Sequence, residues 1–177
     1  MHFPMKSVSA GKNVPDEINV FIEIGAHSSP IKYELDKESN TLEVDRFLST
    51  PMVYPCNYGF IPSTLGDDGD PLDVLVLSPF PIQPGAMIKC RPVGVLEMAD
   101  EAGNDEKILA VPINKLTSLY SHVNDTTDLH EDTLKKIEHF FSRYKDLEQG
   151  KWVKIKGWAN SQDAKQIIVK SLQETKS

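Results

Sequence analysis

The sequence predicts an α+β fold, an antiparallel barrel or sandwich with helices packed outside it. Three observations carry this. Short runs that alternate apolar and polar residues recur through the first two thirds of the chain, separated by Gly, Pro and acidic turns. Stripes with a helical period come late, at Leu134, Ile137, Phe140, Phe141 and Tyr144 and again at Ala164, Ile167, Ile168, Ser171 and Leu172. No solenoid repeat, low-complexity tract or linker breaks the 177 residues, which read as a single domain, 1–177, long enough for a sizeable core.

The elements follow in order. Residues before Val14 read as an irregular arm closed by Pro15-Asp16. Ile18, Val20, Ile22 and Ile24 alternate with Asn19, Phe21 and Glu23, a strand that sets Glu23 opposite the aliphatic row. In Ile31-Lys32-Tyr33-Glu34-Leu35 a second strand projects Lys32 and Glu34 from one face. Lys37-Glu38-Ser39-Asn40 is a turn, and the strand over 41–47 carries Arg46 near its end. The span 51–62, with Tyr54 and Tyr58, is too rich in proline to be helical. Strands are expected over 74–77, over 87–98 with an edge or bulge at Pro92 and Gly94, and over 108–111. The first helix has Asp128 as candidate N-cap and Gly150 as stop, with Tyr144-Lys145 near its C-terminal end. A strand over 152–158 follows, then a final helix capped by Asn160 or Ser161.

The chemistry lies between these elements. Asp67-Asp68-Gly69-Asp70-Pro71-Leu72-Asp73 puts four carboxylates into seven residues, and Asp100-Glu101-Ala102-Gly103-Asn104-Asp105-Glu106-Lys107 is a second acidic turn leading into a strand. Crowded carboxylates repel, so they stay either in water or around a cation. One acidic turn alone reads as a solvated loop; two that neighbouring strands bring together would join Asp68, Asp70, Asp73, Asp100 and Asp105 in an oxygen-lined pocket. An EF-hand starting at Asp68 fails, because Leu72 and Asp73 fall where a ligand and a Gly are required. No spacing of His and Cys suits zinc, so hard oxygen ligands point to Mg, Mn or Ca. Mg with substrate phosphates accounts for the acidic turns together with Lys32, Arg46, Lys107, Lys145 and the tyrosines, and indicates phosphoryl transfer to water.

Composition excludes other classes. Against 19 basic residues stand 26 acidic ones, and the net charge of −7 argues against binding nucleic acid or an anionic membrane. Two cysteines, no signal-like apolar segment at the start and no run long enough for a membrane span fit a reducing cytoplasm.

The run Asp68-Gly69-Asp70-Pro71-Leu72-Asp73-Val74 resembles the signature of family I soluble inorganic pyrophosphatases. Pro30-Ile31-Lys32-Tyr33-Glu34, Asp45-Arg46-Phe47, Tyr54-Pro55-Cys56-Asn57-Tyr58-Gly59, the second acidic turn, and His139-Phe140-Phe141 leading to Tyr144-Lys145 are similar to the bacterial branch in order and spacing. The resemblance implies a five-stranded OB-like β-barrel with peripheral strands and two main α-helices. It also implies Mg2+-dependent hydrolysis of pyrophosphate to two phosphates by direct attack of a metal-activated water or hydroxide. Several Mg2+ ions per site are implied, with Mn2+ or other divalent ions as alternatives, and a homohexamer is usual. Position by position, Asp68, Asp73 and Asp105 resemble ligands of resident metals, Asp100 and Glu34 ligands of metals arriving with substrate, and Asp70 the group that deprotonates the nucleophilic water. Lys32, Arg46, Tyr58, Tyr144 and Lys145 resemble the phosphate-binding set, and Glu23, Tyr54, Glu101 and Lys107 its supporting residues. His139 or its neighbours are the expected subunit contact, although Arg143 stands where relatives often carry a second histidine. The rival readings are an OB-fold module for nucleic acid, which net acidity opposes, and a Ca-binding structural domain.

Overall fold

The structure is a computed structural model that describes residues 5–172. In chain order it contains strands β1 (Ile18–Ile24), β2 (Ile31–Leu35), β3 (Leu42–Phe47), β4 (Asn57–Phe60), β5 (Asp73–Val76), β6 (Met87–Asp100), β7 (Gly103–Asn104) and β8 (Lys107–Pro112). Helix α1 (Glu131–Arg143), strand β9 (Val153–Ala159) and helix α2 (Ser161–Ser171) complete it. Five strands close on themselves in the order β1-β4-β5-β8-β6 and back to β1, giving the small OB-like barrel. The β5–β8 pair is parallel, the one departure from the all-antiparallel barrel that the sequence suggested.

Strand β6 is 14 residues long and serves two purposes. Its first half pairs with β1, and its second half extends to hold β9 and the short β7. The register shifts at Pro92/Gly94, so the breakers mark a bulge in a central strand and not an edge. A side chain at Gly94 would meet Thr126 Cγ2 at 2.3 Å, so close packing requires glycine there. Strands β2 and β3 form a separate two-stranded hairpin beside the barrel.

Alternate residues of the barrel strands enter two apolar clusters. Val74, Val76, Ile108 and Ala110 pack with Ala164 and Ile168 of α2, whereas Leu75, Leu109 and Val111 pack with Ile137, Phe140 and Phe141 of α1. Both faces of β5 and β8 are therefore covered, which is why these strands read as continuous apolar runs. The arm before β1 is docked, with Ala10 buried and its carbonyl accepting from Asn19 N at 2.7 Å.

Two helix signals need correction. Asp128 is not the cap of α1: it closes a 3-10 turn, Thr126–Asp128, and its carboxylate accepts from the N–H groups of Asn124 and Asp125. His130 caps α1 through Nδ1, which accepts from Asp132 N at 3.2 Å. Gly150 does not stop the helix either; α1 ends at Arg143, and successive turns carry the chain to Gly150. Asn160 caps α2.

Candidate active site

The acidic turn is held by its own backbone. Gly66 N donates to Asp70 O at 2.7 Å, Gly69 takes φ +85°, and the Asp68 carboxylate accepts from Asp70 N at 2.9 Å. Thr64 anchors the turn to the barrel by accepting from Leu72 N and donating to Ile61 O. Asp73 is then the first residue of β5, where parallel pairing sets it opposite Lys107 of β8. This register unites the two acidic turns. Lys107 Nζ lies 2.9 Å from Asp73 Oδ2, 3.0 Å from Asp105 Oδ1 and 3.3 Å from the Tyr58 hydroxyl. Burial opposes its charge, but the two carboxylates overcome that and hold the ammonium above the ordinary lysine value.

At the end of β6, Asp100 accepts from Ala102 N and from Lys145 Nζ, each at 2.9 Å. Lys145 follows the C-terminus of α1, so this contact ties the helix to the second acidic turn. Burial opposes the charge of Lys145 and its acidic neighbours raise its pKa. Glu101 lies 2.9 Å from Lys151 and 3.8 Å from Lys145; burial works against its ionisation, but these ammonium groups and backbone N–H donors push it down to about 2.

The β2–β3 hairpin adds Lys32, Glu34 and Arg46 to the same lining. Lys32 and Arg46 are cross-strand partners, and Asp45 Oδ2 lies 3.4 Å from Lys32 Nζ and 2.8 Å from Arg46 Nε. Arg46 Nη1 also reaches Glu148 at 3.2 Å. Behind the hairpin, the Glu23 carboxylate accepts from Leu35 N at 2.9 Å, and burial pushes its pKa up to about 8. Tyr54, Tyr58 and Tyr144 close the floor with Phe140 and Phe141, Tyr54 lying 4.6 Å from Phe140 ring to ring. Burial holds the phenols of Tyr54 and Tyr58 well above the usual range, so both stay neutral hydroxyls.

These walls enclose a cleft of about 590 Å³. All fifteen residues singled out from the sequence line it, from Glu23 and Glu34 through the two acidic turns to Tyr144 and Lys145. Asp67 is not part of this lining; with Glu106 it borders a small adjoining recess that shares Asp68, Asp73 and Asp105 with the cleft. Sequence reasoning missed Lys37, Asn40, Asn104, Glu148 and Lys151 as lining residues. Lys37 and Asn40 bracket the turn that follows the Lys32 strand, and this proximity was the available signal.

A family model for inorganic pyrophosphatase matches residues 20–176. The chain belongs to the inorganic pyrophosphatase family. It is 57% identical over 172 residues to an inorganic pyrophosphatase of Xylella fastidiosa and 58% identical over 171 residues to that of Escherichia coli K12, covering 97% of both chains in each pair. Its fold matches the structure of an inorganic pyrophosphatase from Coxiella burnetii with a TM-score of 0.90 and 53% identity, covering 93% of this chain and 98% of that one. Within this pyrophosphatase cleft the acidic donors are carboxylate oxygens alone, the set that suits a hard divalent cation. Four of these carboxylates, Asp73, Asp105, Asp100 and Asp70, each contact a lysine. At Asp68, partial burial, then the neighbouring charges of Asp70, Asp73 and Asp105, raise the pKa against the Asp70 N–H that lowers it.

Proposed function

We propose that the protein hydrolyses inorganic pyrophosphate to two phosphates with the help of divalent cations, Mg2+ first and Mn2+ or a similar ion as alternatives. One observation carries the reading: in a member of this family, carboxylates from two turns line a single cleft together with Lys, Arg and Tyr side chains. Asp68, Asp73 and Asp105 would hold resident cations, and Asp100 and Glu34 those that accompany the substrate. When bound, such ions lower the pKa of water and neutralise phosphoryl oxygens.

The chain's own residues do the rest. Lys32, Arg46 and Lys145 attract the phosphate groups, and Arg46 adds a planar fork suited to two oxygens. Tyr58 and Tyr144 donate hydrogen bonds without adding charge. Asp70, on an exposed turn at the cleft edge, orients the attacking water and accepts its proton as the new P–O bond forms and the bridging P–O bond breaks. Glu23, Tyr54, Glu101 and Lys107 hold these groups in place. No covalent phosphoenzyme is involved. The same reading includes a cytoplasmic location and assembly as a homohexamer, with His139 or its neighbours at a subunit contact.

Phosphate release from pyrophosphate decides the matter. We expect turnover with Mg2+, loss of most of it with chelator, and loss of most of it in a folded Asp70→Asn variant. No turnover of the wild type with Mg2+ or Mn2+ would remove the function, and full turnover by Asp70→Asn would remove the assignment of the base.

A further inference from the structure

The β2–β3 turn meets the first acidic turn at the cleft. Lys37 Nζ lies 2.7 Å from Asp70 Oδ1, a contact between residues 33 apart in sequence. The turn that presents Lys37 is tightly built. Asp36 accepts from Ser39 N at 2.6 Å and from Glu38 N at 3.2 Å, Asp36 N donates to Thr41 O at 2.9 Å, and Asn40 adopts φ +53°. Lys37 is therefore aimed by its backbone. It lines the same cleft as Lys32 and Arg46, which come from the two strands of its own hairpin.

The pair is nevertheless a weak one. Both side chains are 62% exposed, and an ion pair so open to solvent is readily exchanged. A multiply charged anion in the cleft offers Lys37 more negative charge than one carboxylate does, within reach of a flexible four-carbon stem. Resting on the pyrophosphatase reading above, we propose that Lys37 is a further substrate-binding residue that exchanges partners. With the cleft empty of substrate it pairs with Asp70; when pyrophosphate enters, it swings to a phosphate oxygen and leaves the Asp70 oxygen open to the attacking water. Entry of substrate and exposure of the base are thereby coupled through one side chain.

Steady-state hydrolysis of pyrophosphate at fixed free Mg2+, and competitive inhibition by inorganic phosphate, test this with Lys37→Met and Lys37→Arg. The exposure of Lys37 keeps both variants clear of the core, and thermal unfolding confirms that they are folded. Lys37→Met should raise KM about tenfold, the ordinary size of one charge-assisted contact, and weaken phosphate inhibition, while Lys37→Arg stays within a few-fold of wild type. Unchanged KM and phosphate inhibition in Lys37→Met would overturn the proposal. So would a rise in kcat at unchanged KM, which would make Lys37 only an inhibitory partner of Asp70. Either result with an active wild type leaves the pyrophosphatase reading standing; an inactive wild type removes that reading first.

Discussion

Burial pushes the Glu23 carboxyl up to about 8 against the Leu35 N–H that lowers it, which favours the protonated form at neutral pH. An ordinary glutamate carboxyl gives up its proton near 4.5, so the folded state holds the proton more tightly than the unfolded one. Stability from this group is complete below about pH 4.5 and is lost as pH rises toward 8. In chelator, wild-type stability from urea unfolding should fall across that window at up to about 1.4 kcal/mol per pH unit relative to Glu23→Gln, which keeps the acceptor without the charge. Parallel pH profiles of the two proteins would show that Glu23 ionises freely. Lys107 is the opposite case, a buried cation satisfied by Asp73, Asp105 and Tyr58. Lys107→Met leaves two carboxylates facing each other on a half-buried wall, and should cost on the order of 2–3 kcal/mol in chelator at pH 7. A loss below about 0.5 kcal/mol would mean that the carboxylates relax into water instead.

Strand β4 brings Tyr58 into the cleft, and its neighbour Gly59 sets how closely β4 can lie against β1. A Cβ at Gly59 would stand 1.8 Å from the Phe21 carbonyl oxygen, a backbone atom that cannot step aside. Gly59→Ala must therefore part β1 from β4 at the pairs Phe21↔Phe60 and Ile22↔Gly59. We expect a loss of at least about 3 kcal/mol, together with a drop in activity because Tyr58 moves with the strand; a melting temperature within 2 °C of wild type, about the precision of such a comparison, would contradict the close approach. This element also shows what could be read beforehand. β1 and β2 follow the expected spans, and β9 is displaced by one residue, because one alternating pattern decides each. β4 was hidden in a Pro- and Tyr-rich segment whose pairing is set by long-range partners, Val74 and Leu75 among them. The parallel β5–β8 register was equally out of reach, since no local pattern distinguishes parallel from antiparallel pairing in a run buried on both faces. The start of α1 was misplaced for a local reason: Asp128, the expected cap, closes a capping box with Asp125 around a 3-10 turn that ends two residues before His130 caps the helix.

Across the whole molecule, the excess of acid concentrates its effect in the cleft. The chain carries −7, and Asp68, Asp70, Asp73, Asp100 and Asp105 line one cavity with Glu34 and Glu101. These acidic members of the cavity were legible from sequence because each belongs to a short motif. The ion pairs that organise it were not, since Lys37 with Asp70, Lys145 with Asp100 and Arg46 with Glu148 join segments brought together only by barrel closure. Such a cavity should couple divalent cations to folding, because an ion that binds only the native arrangement stabilises it by mass action. At an Mg2+ concentration one hundred times its Kd the gain is about 2.7 kcal/mol, which for a chain of this size raises the melting temperature by roughly 5–10 °C. Differential scanning calorimetry in chelator and in Mg2+ measures it, with Mn2+ as a second ion and K+ at matched ionic strength as the control for screening. The shift should shrink by more than half in Asp73→Asn, whose side chain sits between both turns, and remain in Asp67→Asn, which is not part of the cleft lining. Equal shifts in Mg2+ and in K+, or equal responses of the two variants, would reduce the acidic wall to a surface that salt merely screens.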